Sequence, residues 1–259
     1  IKLLGELVKK HPNNNRLRLQ YAKSLTLNNL EQAQEQFLIL LEKAPNDPDL
    51  TLALALIYYE RGMFDNAKQT LEQLTENTRY GSSAHYYLAR IAKSQHNLTA
   101  AVEHFTQVGY GSDYLPAQAQ LSQILVDSNQ LERALSDIGQ QRESAPAQFA
   151  EGLQMIEANI LVSAQQYAQA ESVLNLTLTS YPNSTQALYT RAMLYTNMNR
   201  FLAAEEDLKR IIVLKPSHAA ALNALGYTLA DRTERLEEAL EYVTRALKIT
   251  PNDPAVMDS

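Results

Sequence analysis

The stretch "LEEALEYVTRALKITPND", Leu236 to Asp253, places apolar residues three and four apart and closes on a proline, as an amphipathic helix with a sharp stop does. Its pattern returns in "NLEQAQEQFLILLEKAPND" (Asn29 to Asp47) and in "RFLAAEEDLKRIIVLKPSH" (Arg200 to His218). One small residue fixes the register. Ala33, Ala67, Ala101, Ala134, Ala170, Ala204 and Ala239 follow one another at intervals of 34, 34, 33, 36, 34 and 35 residues. A period of that size marks a stacked array, so the quoted helix is one tile of several.

Neighbouring positions keep the same beat. Three residues before each alanine stand Leu30, Phe64, Leu98, Leu131, Tyr167, Phe201 and Leu236, and four after stand Phe37, Leu71, Phe105, Ile138, Leu174, Leu208 and Val243. About a dozen residues upstream comes a second small residue: Ala22, Ala55, Ala89, Ser122, Ala158, Ala192 and Gly226. Proline follows the second apolar run at Pro45, Pro146, Pro182, Pro216 and Pro251. Each tile therefore reads as two antiparallel helices whose backbones approach at the small residues, flanked by large side chains and ended by a residue that cannot continue a helix. The tiles without proline have Gly81, Gly109 and Gly111 nearby, and these are expected to end helices in left-handed conformations. Tiles are placed at 14–45, 47–79, 81–113, 115–146, 148–182, 184–216 and 218–251 of a single array over 1–259. Residues 1–12 read as the second helix of a truncated tile and 252–259 as the start of another, so a longer parent protein is expected. The fold class is all-α: a right-handed superhelical solenoid of stacked helix pairs.

Composition agrees. Of 259 residues 45% are hydrophobic and 20% charged, enough to bury a large apolar surface. Lys and Arg number 23 against 29 Asp and Glu, which argues against the basic stripe a nucleic-acid binder needs. The longest apolar run, Leu52 to Tyr59, is eight residues, short of the roughly 20 that span a bilayer, so no direct membrane insertion is expected. Absence of cysteine removes disulfides and thiolate chemistry.

No catalytic constellation emerges. His11, His85, His96, His104 and His218 form no H-E-x-x-H arrangement and read as unrelated single residues, so no metal site is expected. Glycine-rich phosphate loops are missing, and the many acids read as solvated helix faces. Neither an enzymatic activity nor a cofactor is expected.

The period, with small residues at the eighth and twentieth places and proline near the thirty-second, resembles the tetratricopeptide repeat. That resemblance implies a groove lined by the first helix of each tile. Carried over residue by residue, it points to Tyr59, Tyr86, Arg90, Lys93, Gln123, Met155, Asn159, Tyr189, Met193, Asn197, Asn223 and Tyr227 as the protein- or peptide-binding face. The early part is charged and the later part is rich in amides, Tyr and Met, groups suited to tolerant recognition of an extended segment. The carboxylate clamp of some family members is not matched around Asn159, where the corresponding places hold Met155, Thr190, Ala220 and Ala224. "ALNALGYTLADRTERLEEALEYVTRALKITPNDPAVMDS" and "AHYYLARIAKSQHNLTAAVEHFTQV" are similar to the tetratricopeptide outer-membrane lipoproteins of gammaproteobacteria. This implies a non-enzymatic periplasmic adaptor, outer-membrane-anchored in the full-length protein, whose partners include a carboxyl-terminal processing protease and cell-wall hydrolases. The alternatives are the repeat region of a larger enzyme, a metalloprotease or glycosyltransferase; a cytoplasmic location; and self-association through the open ends.

Overall fold

A computed structural model describes residues 1–232 and 234–251; the expected start of a further tile at 252–259 lies outside the described residues. Fifteen α-helices run in chain order: α1 Lys2–Lys10, α2 Asn15–Leu25, α3 Leu30–Lys43, α4 Pro48–Glu60, α5 Phe64–Glu72, α6 Gly81–Ser94, α7 Leu98–Thr106, α8 Tyr114–Asp127, α9 Leu131–Ser144, α10 Ala150–Ser163, α11 Tyr167–Ser180, α12 Thr185–Asn197, α13 Phe201–Leu214, α14 Ala219–Arg232 and α15 Leu236–Ile249. The described residues hold no strand. Two compact units, Ile1–Ile124 and Leu125–Ser259, divide inside α8. In the first unit α2 packs on α3, α4 on α5 and α6 on α7, and α3 and α5 each lean on the helix that follows. In the second, α10 pairs with α11, α12 with α13 and α14 with α15, again with each second helix against the next first helix. Each unit is a run of antiparallel hairpins leaning on their neighbours, an all-α solenoid.

Close approach at the small residues holds the hairpins together. Ala22, Ala33, Ala55, Ala67, Ala89, Ala101, Ala134, Ala158, Ala170, Ala192 and Ala204 are all 0% exposed. At Gly226 even a methyl group would lie 2.6 Å from Val243 Cγ2 and 3.0 Å from the Ala239 carbonyl oxygen. The large residues one turn after the alanine, Phe37, Leu71, Phe105, Ile138, Leu174 and Leu208, fill the space beside these contacts and are buried. Those before it are less covered, with Leu98 and Leu236 exposed.

Proline acts as expected. Pro45, Pro146, Pro182, Pro216 and Pro251 each stand two residues past the last helical residue. The residue between leaves the α region (Ala44 φ −139°, ψ 69°; Lys215 φ −142°, ψ 85°), because the proline ring clashes with a helical predecessor. The two tiles without proline have shorter second helices, nine residues in α5 and α7 against fourteen in α3, α9, α11, α13 and α15. Their glycines do not act as left-handed caps: Gly62 is the only glycine with positive φ among the described residues. Gly81 instead opens α6 where a Cβ would meet the Thr75 carbonyl oxygen at 2.6 Å, so close backbone approach is what its missing side chain allows.

The turn inside the hairpin follows one design. Gly62, His96, Asn129, Gln165 and Asn199 have φ between 57° and 71°, and the next residue but none further closes a backbone bond to the helix just ended. Thus Asn97 N–H donates to Ala92 O at 2.9 Å, Gln166 to Leu161 at 2.8 Å and Arg200 to Tyr195 at 2.8 Å. This is the Schellman closure, which satisfies orphan carbonyls at a helix end. Tile one, one residue short between its small residues, has no left-handed residue and ends with Asn29 N–H on Leu25 O at 2.7 Å.

One acid departs from the solvated-face reading. Asp207 is 3% exposed and takes a two-pronged bond from Arg191, Nε to Oδ2 at 2.8 Å and Nη2 to Oδ1 at 2.7 Å. Arg191 Nη1 also reaches Asn175 Oδ1 at 2.7 Å, so this ion pair ties α12 to both α13 and α11.

Ala204→Glu should cost several kcal/mol, with overpacking at about 1 to 3 and a buried charge adding to it. Lys209→Ala, which removes pairs to the largely covered Glu205 and the half-exposed Glu238, should cost about 1 kcal/mol in urea unfolding, well below Ala204→Glu. In the turns, Gln165→Gly should stabilise and Gly62→Ala destabilise, each by about 1 kcal/mol, because a Cβ at Gly62 meets no atom and only the left-handed backbone is at stake.

Candidate functional site

Tyr59 at the end of α4, Tyr86, Arg90, Lys93 and Ser94 on α6, and Gln120 on α8 line an open recess of about 450 Å³ in the first unit. Helical spacing explains the convergence on α6: residues 86, 90 and 93 stand four and three apart and share one face, while Ala89 turns inward to the hairpin contact. Tyr59, Tyr86, Arg90 and Lys93, four of the residues singled out from sequence, are brought together here. Gln120 and Ser94 were not singled out. Gln120 lies one turn before the expected Gln123, which is exposed.

The electrostatics of the recess centre on Arg90. Its guanidinium carbon sits 5.0 Å from the ring centroid of Tyr59 and 5.6 Å from those of Tyr86 and Tyr87. Tyr59 and Tyr87 meet edge to face at 5.1 Å, as do Tyr86 and Tyr87 at 5.4 Å, so the cation rests on an interlocked aromatic floor. Arg90 makes no ion pair or hydrogen bond with any described residue. Lys93 Nζ donates to the neutral Gln120 Oε1. Two cations thus face the recess with no carboxylate answering them, while burial pushes the Tyr87 phenol above its ordinary pKa and keeps it a donor.

In the second unit the expected residues are spread along the first helices α10, α12 and α14. Asn159 and Asn197 are exposed, Tyr227 is 55% exposed, and Met193 and Asn223 are half-buried. Tyr189 stacks on His218 with centroids 5.8 Å apart, and burial raises its pKa. Met155 must be withdrawn from the binding face. It is 2% exposed and belongs to the core with Leu188, Ala192 and Leu225, so its side chain has no surface to offer. A separate recess of about 540 Å³ lies among Glu151, Tyr181, the 182–184 turn and the start of α12, with no cation in its lining.

Among the described residues no three His, Cys, Asp or Glu side chains gather as a metal site, and no helix is long and apolar enough to cross a membrane.

Stacked helix hairpins of this period, with a half-buried aromatic and charged first-helix face in the first unit, define a helical-repeat protein. The chain belongs to the tetratricopeptide repeat family: two models of that repeat match residues 27–91 and 189–254. It is 39% identical over 177 residues to the TPR repeat-containing protein PA4667 of Pseudomonas aeruginosa, a match covering 68% of this chain and 30% of that protein. The chain therefore spans about a third of that relative's length. Among solved structures it is similar in fold to a tetratricopeptide repeat protein from Parabacteroides merdae, with TM-score 0.63, 14% identity and coverage of 94% of this chain and 96% of that one. It is also similar to the C-terminal part of a TPR repeat-containing protein from Cytophaga hutchinsonii, with TM-score 0.57, 17% identity and coverage of 93% and 98%.

Because Arg90 contributes packing over aromatic rings but no buried ion pair, Arg90→Gln should lower stability by about 1 kcal/mol or less and leave the helical circular dichroism spectrum intact.

Proposed function

We propose that this chain is a non-enzymatic scaffold that holds extended protein segments against the exposed faces of its first helices, with Arg90 and Lys93 as the anchor for an acidic group. In the longer protein it presents such segments, cell-wall hydrolases among them, to a carboxyl-terminal processing protease, from an outer-membrane anchor in the periplasm. The family and the fold support the general role, since tetratricopeptide repeats are protein-interaction scaffolds. Resemblance to outer-membrane lipoproteins supports the particular one.

A single observation carries the reading: Arg90, partly desolvated on three tyrosine rings, lacks an acid of its own. A carboxylate entering the recess would gain charge-assisted bonds from Arg90 and Lys93, while Tyr59 and Tyr86 supply rigid contact area. Amides at Asn159 and Asn197 both donate and accept, so they can hold peptide backbone irrespective of its sequence. Linking a bound segment to a protease raises the effective concentration of one beside the other without new chemistry from the repeat.

The test pairs a binding and a turnover measurement. Degradation of a peptidoglycan hydrolase by purified carboxyl-terminal processing protease should accelerate when this chain is present, and the double variant Arg90→Gln, Lys93→Gln should lose most of the acceleration. A Tyr189→Ala, Asn197→Ala, Tyr227→Ala variant should lose affinity for the hydrolase in the same assay. Unchanged degradation with and without the chain would end the protease reading, and equal hydrolase binding by all three proteins would end the assignment of the face.

A further inference from the structure

Arg18 on α2 is a buried cation that no acid answers: it is 8% exposed and forms no ion pair with any described residue. Its Nη1 donates to Gln36 Oε1 at 2.5 Å and its Nη2 to the Pro12 carbonyl oxygen at 3.0 Å, both neutral acceptors. Those bonds engage two of the five guanidinium N–H groups, and the buried Nε has no acceptor among the described residues. The repeat register shows what is missing. Gln36 stands three residues after Ala33, as Asp207 stands three after Ala204. Arg18 and Arg191 leave their first helices about one turn apart, yet both bond the residue at this place. In the sixth tile that residue is a carboxylate that takes a two-pronged bond, whereas in the first it is an amide and the charge of Arg18 stays whole. A buried charge without a counter-charge is costly, so an anion that reaches it gains more than it would at an exposed arginine.

Arg18 lines an open recess of about 350 Å³ between α1, α2 and α3, whose walls include Gly5, Lys9, Tyr21 and Glu35. That volume is of the size small ligands occupy. A Cβ on Gly5 would stand 3.0 Å from the Tyr21 hydroxyl, so the missing side chain is what lets the phenol lie against α1. No described residue bonds that hydroxyl, which leaves it a donor for a ligand. Lys9 and Glu35 are exposed at the rim, and together with Arg18 they give the lining a formal charge of +1. This balance suits one negative charge and disfavours a phosphate dianion, which Glu35 would repel. We propose that the recess is a carboxylate-binding site separate from the one at Arg90. A single carboxylate, from an acidic side chain or the free C-terminus of a peptide, accepts the remaining Nη hydrogens of Arg18, with Lys9 and the Tyr21 phenol as further donors. The ligand thus brings to Arg18 the charge that Asp207 brings to Arg191.

Backbone amide NMR titrations with N-acetylalanine, N-acetylglutamic acid α-amide and the neutral N-acetylglutamine amide test this. At least one of the two carboxylates should give saturable shifts centred on residues 5–9, 18–21 and 32–36, about tenfold or more tighter than the neutral amide, as a charge-assisted bond supplies. The tighter of the two identifies the source, chain terminus or side chain. Gln36→Glu puts a carboxylate where the amide oxygen now meets Arg18, so it should weaken carboxylate binding about tenfold or more and raise the melting temperature of the ligand-free chain. The Arg90→Gln, Lys93→Gln double variant should bind these probes as the wild type does, which keeps this site distinct from the scaffold reading. Arg18→Gln should abolish binding, and if it loses its helical spectrum the Gln36→Glu result decides. No saturable shift with either carboxylate, equal affinity for the neutral amide, or undiminished binding in Gln36→Glu overturns the proposal. So does a lower melting temperature of Gln36→Glu, which would show that Arg18 needs no counter-charge, or tighter binding of inorganic phosphate than of either carboxylate.

Discussion

Backbone approach at two small residues per hairpin is the constraint from which the rest of this structure follows. A methyl group is the largest side chain that Ala192 and Ala204 can present to each other, and at Gly226 there is room for none. Fixing that contact fixes how each helix is rotated about its axis. Once Ala89 faces inward, Tyr86, Arg90 and Lys93 must share the outward face of α6, and the recess in the first unit results from that rotation together with the neighbouring helices α4 and α8. Burial of the flanking large residues then supplies the apolar free energy, and prolines limit how far the second helices extend.

Several arginines of this chain are answered by an acid of the preceding tile. Arg200 reaches back to Glu171 at 2.8 Å and Arg235 to Glu205 at 2.7 Å, each from a hairpin turn to the second helix of the preceding tile. Arg61 stands 3.8 Å from Glu31 in the same relation. These exposed or half-exposed pairs add little stability individually but set neighbouring tiles in register. Arg90 differs because it sits on a first helix, over tyrosines, where no acid from the next tile reaches. The contrast separates a cation used for assembly from one left available for a partner.

Much of the fold was legible because its signals are local and periodic. The alanine register, the apolar positions around it and the closing prolines each depend on residue type alone. What was not legible depends on pairing across the hairpin or on backbone torsion. His96 and Gln165 carry no turn signature, yet they adopt left-handed conformations because the Schellman bond holds them there. Asp207 looks like any helix-surface acid until Arg191 from the preceding helix is placed beside it. Met155 was assigned by position in the repeat, whereas the core of the second unit claims it. In the recess the four charged and aromatic residues could be named from register, but Gln120 could not, since its bond with Lys93 joins residues 27 apart in sequence on different helices.

The fixed hairpin turn and the looser connection between hairpins divide the chain into words and spaces. From first to second small residue the count is 12 in five tiles, with 11 in the first and 13 in the last, while from the second to the next first it runs 22, 22, 21, 24, 22 and 22. The longest space holds the one-turn 3-10 helix Ala147–Phe149, an insertion absorbed without disturbing either neighbouring helix. Duplication or recombination that cuts in the spaces leaves every close helix contact intact, so such a lineage can lengthen, shorten or shuffle its binding faces by joining whole words.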